Sequence, residues 1–235
     1  SCGTWSLLGT ETDQPALGDD ALALNFTNEG GVNRTYRLLK NIMGLWLIQE
    51  CRRAWEKEGR SISYAELLSE AEQVRPFRSL IDPDDDQFLA PQHMPRQIRE
   101  YCAATNQPAP ETPGEFMRCI MESLALKYRY VLTSTEQLSG KRFSGLHMVG
   151  GGINNTMLCQ FTANAIQRPV WAGPTEGSAI GNVVVQLMAL GKIGSLQEAR
   201  AIIRESFPIV TYEPQDPAPW SEAYDRFVKL TGLPA

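Results

Sequence analysis

Apolar residues recur along this chain with two different periods, and the change between them divides it into a β-type beginning and a mixed remainder. Residues 5–39 read as short strands, with turns at Thr12-Asp13-Gln14-Pro15 and Asn28-Glu29-Gly30-Gly31. The second turn separates Leu22–Phe26 from Val32–Tyr36, which predicts a hairpin. From Asn41 to Lys57, the residues Ile42, Leu45, Trp46, Ile48 and Trp55 fall at helical spacing, and Gly59 marks the stop. On that helix Asn41 and Gln49 share a face. An amide on an apolar face needs partners, which a ligand or a nearby loop carbonyl can supply.

Three Ser/Thr-x-x-Glu sequences mark helix starts at Ser63, Thr112 and Ser195, because a hydroxyl and a carboxylate can satisfy exposed N–H groups reciprocally. The second, with Pro113 at the first helical position, opens the longest predicted helix. Its buried stripe is expected to run through Met117, Ile120, Met121, Leu124, Tyr128, Val131 and Leu132 to Leu138, with Gly140 ending it. A shorter helix is predicted over 95–104 and a last one over 220–230. Between Arg75 and Pro91, prolines and the acidic run Asp82–Asp86 read as a solvated loop, with a metal site as the lesser alternative.

Strand 146–149 leads into Gly150-Gly151-Gly152, and polar Asn154 and Asn155 precede a helix carrying Met157, Leu158, Phe161 and Ala165. Consecutive glycines at a strand-to-helix turn let another backbone or a flat ligand approach closely. The helix start behind them offers N–H groups and a positive dipole end. A plain tight turn explains the same letters. A second strand, 169–172, is followed by Gly173-Pro174-Thr175 and a helix whose first turns are lined by small residues at 177, 178, 179 and 181. Gly3-Thr4, with Ser6 nearby, forms a third place where backbone N–H groups and a hydroxyl could wrap a phosphate. Hairpins first and strand–helix alternation afterwards predict one α/β domain over 1–235.

Composition narrows the functional classes. A net charge of −5 argues against a nucleic-acid binder, which needs a clustered basic patch. No apolar run reaches the ~18 residues of a membrane span. The five cysteines lack metal-ligand spacing, and two histidines supply neither a zinc site nor a His-based triad. Free thiols of a cytoplasmic protein are expected. Cys102 and Cys119, on successive predicted helices joined by a Pro-rich turn, leave a disulfide open. The start at Ser1, without methionine and with a strand already under way, reads as a fragment.

Several of these segments together resemble the FGGY family of carbohydrate kinases. They are Ser1–Gly9, Asn28–Gly31 with Arg37–Trp46, Ser123–Tyr128, His147–Asn155 and Ala172–Ser178, in order along the whole chain. The branch they resemble most acts on L-rhamnulose. The resemblance implies an actin-like ATPase (ribonuclease H-like) fold, this chain being the C-terminal domain of two. It implies ATP with Mg, brought by the nucleotide, as the cofactor. Thr4 would contact the nucleotide phosphate and Gln49 would lie in the ATP site. Gly151 would line the adenine pocket, with Gly152 and Asn155 adjacent, and Asn41 would face the sugar. The implied partners are ATP or ADP, L-rhamnulose and a missing N-terminal domain. The aspartate that serves the family as general base would lie upstream of Ser1, so this chain alone is expected to be inactive.

Overall fold

The computed structural model describes residues 1–233. Strand β1 (Trp5–Thr12) pairs antiparallel with β3 (Tyr36–Met43) over its whole length, and β2 (Thr27–Gly30) pairs with the other edge of β3. Helix α1 (Asp19–Ala23) lies between β1 and β2. A second sheet has β4 (Leu146–Met148) parallel to β5 (Val170–Ala172) and β6 (Val210–Tyr212) antiparallel to β5. Cys2 joins the two sheets. It forms an antiparallel bridge with Ser6, and its N–H donates to the Val149 carbonyl at 2.7 Å.

The remaining helices are α2 (Trp46–Lys57), α3 (Tyr64–Glu72), α4 (Met94–Ala104), α5 (Pro113–Ser139) and α6 (Thr156–Ile166). After β5 come α7 (Gly177–Ala189), α8 (Leu196–Ser206) and α9 (Pro217–Thr231). Helix α5 is the axis of the core. It is buried on nearly every face and packs against α3, α6 and β1. The expected stripe from Met117 to Leu132 is buried, while Leu138 is only partly so. The boxes at Ser63–Glu66 and Thr112–Glu115 form in full. At Ser195 half the device forms: its hydroxyl accepts from Glu198 N–H, but the Glu198 carboxylate turns back to Gly194 N–H.

Three local expectations are corrected. The hairpin forms further along the chain than expected, between Thr27–Gly30 and Tyr36–Met43, because 19–23 coil into α1 and Asn28–Gly30 belong to β2 itself. The helix expected from Asn41 begins at Trp46, since cross-strand pairing with β1 extends β3 through Met43. Asn41 is therefore an exposed strand residue opposite Leu7, not a neighbour of Gln49 on one helix. The acidic run is not simply solvated. Lys127, inside α5 and 2% exposed, places Nζ 2.8 Å from Asp82 Oδ1 and 3.1 Å from Asp84 Oδ2. No group of metal-binding side chains occurs among the described residues.

All five cysteines are buried and free, so Cys102 and Cys119 remain thiols. No helix of the described residues is long and apolar enough to cross a membrane.

A second ion cluster, around the buried Glu136 carboxylate, ties the end of α5 to the second sheet. The Glu136 carboxylate accepts from Arg168 at 2.6 and 3.2 Å, from Arg142 at 3.0 Å and from Phe143 N–H at 2.8 Å. Hydrogen bonding to Arg168, above all, holds its carboxyl down at about 2 against the opposing effect of burial. A carboxyl lowered by folding stabilises the native state above its unfolded pKa, and that contribution is lost as pH falls through the folded value. Between about pH 4.5 and 2 the protein is therefore expected to lose roughly 2–3 kcal/mol through this group. Urea denaturation against pH checks this: Glu136→Gln should flatten the acid slope in that window, and an unchanged slope would refute it.

Candidate nucleotide site

The parallel strands β4 and β5 both end in glycine-bearing turns that feed helices, the place where open α/β sheets bind ligands. Val149 to Asn155 follow β4, with a short 3-10 turn over Gly151–Asn154 before α6. This short turn sets the start of α6 at Thr156. Gly173 and Pro174 follow β5, with Gly173 N–H donating to Met148 O at 2.9 Å. The first turn of α7 then sits on Val149, where a Cβ on Gly177 would stand 3.0 Å from the Val149 side chain.

The three glycines of the triplet do different things. Gly150 has φ +99, and a Cβ there would meet Cys2 O at 2.6 Å. A Cβ on Gly152 would meet Cys2 Sγ at 2.4 Å, and its N–H donates to Cys2 O at 2.9 Å. These two glycines admit the protein's own backbone. Gly151 is exposed, and a Cβ added to it would meet nothing within 4 Å. It alone of the three presents bare backbone to open space.

Asn155 is buried and used within the fold. Its Oδ1 caps α6 by accepting from Leu158 N–H at 3.0 Å, and its Nδ2 faces Met121 Sδ at 3.1 Å. Gly152 and Asn155 thus shape the turn from below, while Gly151 forms its outer surface.

The turn before β1 meets the start of α2. Gly3 O accepts from Leu45 N–H at 2.9 Å, and Thr4 O accepts from Trp46 N–H at 3.0 Å. A Cβ on Gly44 would stand 2.7 Å from Gly3 O, so only glycine lets the two segments approach this closely. Thr4 and Gln49, distant in sequence, are brought together: the Thr4 hydroxyl donates to Gln49 Oε1 at 3.3 Å on an exposed surface. Asn41 is on the same strand pair but not in this contact.

Beneath the turn lies a group that sequence reasoning placed only in the core. Tyr128 Oη is 2.6 Å from Ser6 Oγ and 3.7 Å from Cys2 Sγ. Burial pushes the Cys2 thiol up and the Tyr128 phenol well up, so both stay neutral and brace the turn by hydrogen bonding. The available signal was the run of small polar residues around Thr4, all needing partners if buried. His147 lies on β4, exposed and stacked on Trp171 at 4.8 Å, outside the glycine turn.

Taken together, Ser1–Ser6, Gly44–Gln49, Gly150–Asn155 and Gly173–Gly177 form a surface of backbone, hydroxyl and amide groups. Its segments contain no lysine, arginine or aspartate, and Glu176 is their one ionisable carboxylate. Such a surface can bind and orient a polar ligand but supplies little charge.

Residues 1–190 match the C-terminal domain of the FGGY family of carbohydrate kinases. The chain belongs to that family. It is 53% identical over 227 residues to a rhamnulokinase of Bacteroides thetaiotaomicron, covering 97% of this chain and 46% of that protein. It is 44% identical over 216 residues to a rhamnulokinase of Halalkalibacterium halodurans, covering 92% and 45%. The chain thus spans about half the length of the curated relatives it matches. Among solved structures it is similar to a xylulose kinase from Rhodospirillum rubrum, with a TM-score of 0.68 at 17% identity over 97% of this chain and 45% of that one. The Plasmodium falciparum glycerol kinase solved with ADP gives a TM-score of 0.62 at 13% identity, covering 98% and 46%. These likenesses place the FGGY chain in the actin-like α/β fold expected for the C-terminal domain of a two-domain kinase.

Proposed function

We propose that the chain is the nucleotide-binding half of an ATP-dependent sugar kinase. The whole enzyme transfers the γ-phosphate of ATP to the 1-hydroxyl of L-rhamnulose, giving L-rhamnulose 1-phosphate in L-rhamnose breakdown in the cytoplasm. The observation that carries the nucleotide reading is Gly151: exposed backbone over open space, flanked by two glycines locked against Cys2. A flat purine can lie on it without displacing a side chain. Thr4 is the donor we assign to the phosphates, its hydroxyl proton turning from Gln49 Oε1 to the ligand, and magnesium arrives with ATP. Gly152 and Asn155 hold the adenosine side in shape, and Asn41 is assigned to the sugar side.

Phosphoryl transfer depends on neutralising charge from both sides of the nucleotide. The shortage of charged groups in these turns supports a second domain that brings the cations and the general base. The exposed Val183 of α7 and Leu190 just after it are apolar surface such a partner could cover.

The identities to two rhamnulokinases favour L-rhamnulose over the L-fuculose or D-xylulose of sibling kinases. Full-length enzyme offered each ketose with MgATP tests this. The expected result is the highest kcat/KM for L-rhamnulose, with product phosphorus on the 1-oxygen by NMR. A preference for either of the others would overturn the assignment.

A further inference from the structure

Away from the glycine turns, a cavity of about 680 Å³ opens between the loop after α3, the start of α5 and α9. Arg75, Arg78 and Arg226 line it together with Phe77, Thr112 and one carboxylate, Glu115. Three guanidinium groups against one carboxylate leave the lining with net positive charge. Arg78 has a carboxylate partner in Glu115, with Glu111 4.0 Å away. Arg75 and Arg226 make no ion pair among the described residues.

The cavity is held open by an unusual backbone. Phe77 has φ +53, a region that bulky residues rarely adopt. Three ties keep it there. Its N–H donates to the buried Glu122 carboxylate at 2.8 Å, its carbonyl accepts from Arg226, and its ring meets Trp220 edge-on at 4.8 Å. The turn at Phe77 brings Arg75 and Arg78, on either side of it, to the same cavity.

Screening of the α3 carbonyl end could account for basic residues here. Yet Arg118 already donates to the Ala71 carbonyl, and Arg226 comes from a different helix. We propose that this cavity binds a phosphate dianion, either inorganic phosphate or the phosphomonoester of a small metabolite. Arg75 and Arg226 would grip it through paired N–H groups, with Arg78 recruited from Glu115. The volume is within the range of small-molecule sites.

The test is calorimetric titration of the 235-residue chain with inorganic phosphate and, separately, with glycerol 3-phosphate, without nucleotide. Saturable binding is expected for at least one. Equal affinities would assign the site to free phosphate, and a preference for the ester would assign it to a phosphorylated metabolite. Arg75→Gln, at an exposed position, should weaken binding by about tenfold without unfolding the chain. Gly151→Val should leave it unchanged. No saturation at millimolar ligand, full affinity in Arg75→Gln, or loss of binding in Gly151→Val would overturn the proposal.

Discussion

Purified by itself, the 235-residue chain is expected to give no turnover with L-rhamnulose and MgATP in a coupled assay, even at high protein concentration. The reason is visible in the site. Its four converging segments bring hydroxyls, amides and bare backbone, but no lysine, arginine or aspartate. Positioning alone leaves the developing charge on the transferring phosphoryl group uncompensated and the sugar hydroxyl without a base. Loss of a general base commonly costs 10²–10⁴ in rate, and loss of phosphate-clamping cations costs a comparable factor again. The combined deficit places any residual rate below detection. Turnover at rates near those of a complete enzyme would mean that the chain carries its own base, and the two-sided account would fail.

The largest stability effect should come from Lys127. Burial acts to lower its pKa, but Asp84 and Asp82 outweigh burial and hold the ammonium above its ordinary value. The pair also has a structural task. Asp84 Oδ1 accepts from Met43 N–H at 2.8 Å, fixing the end of β3 just before Gly44 and α2. Removing one member of a buried ion cluster leaves the other charges uncompensated, which typically costs 3–5 kcal/mol. Lys127→Met should therefore lower unfolding free energy by about 3–5 kcal/mol in urea titrations. A loss of less than ~1 kcal/mol would show that Asp82 and Asp84 find other partners or water.

Much of the helical framework was readable because its signals are local. Ser63 with Glu66, and Thr112 with Pro113 and Glu115, announce helix starts through groups only three residues apart. Strand β3 was harder to read. Ile42 and Leu45 fit a helical stripe, and only pairing with Trp5, Ser6 and Leu7 of β1, far earlier in sequence, keeps 41–43 extended. Helix α1 and strand β6 are too short to show a period: five residues and three residues.

The candidate site was legible in the same uneven way. The glycine triplet correctly signalled a close approach to the backbone, yet for Gly150 and Gly152 the approaching group is Cys2 of the same chain. The contact between Thr4 and Gln49 is a tertiary one, brought about by Gly3 and Thr4 capping α2, which no local pattern reports. Asn155 shows the converse: a polar residue beside the triplet whose amide is already engaged in the fold.

In the proposed kinase, the exposed backbone at Gly151 is the adenosine surface. Titrating ADP into the wild-type chain and into Gly151→Val tests it most directly, because the added side chain enters open space and leaves the packing against Cys2 intact. Saturable ADP binding is expected for the wild type and its loss in the variant, with thermal unfolding of the unliganded proteins unchanged. Equal ADP affinity in the two proteins, or no binding to the wild type at millimolar ADP, would contradict it.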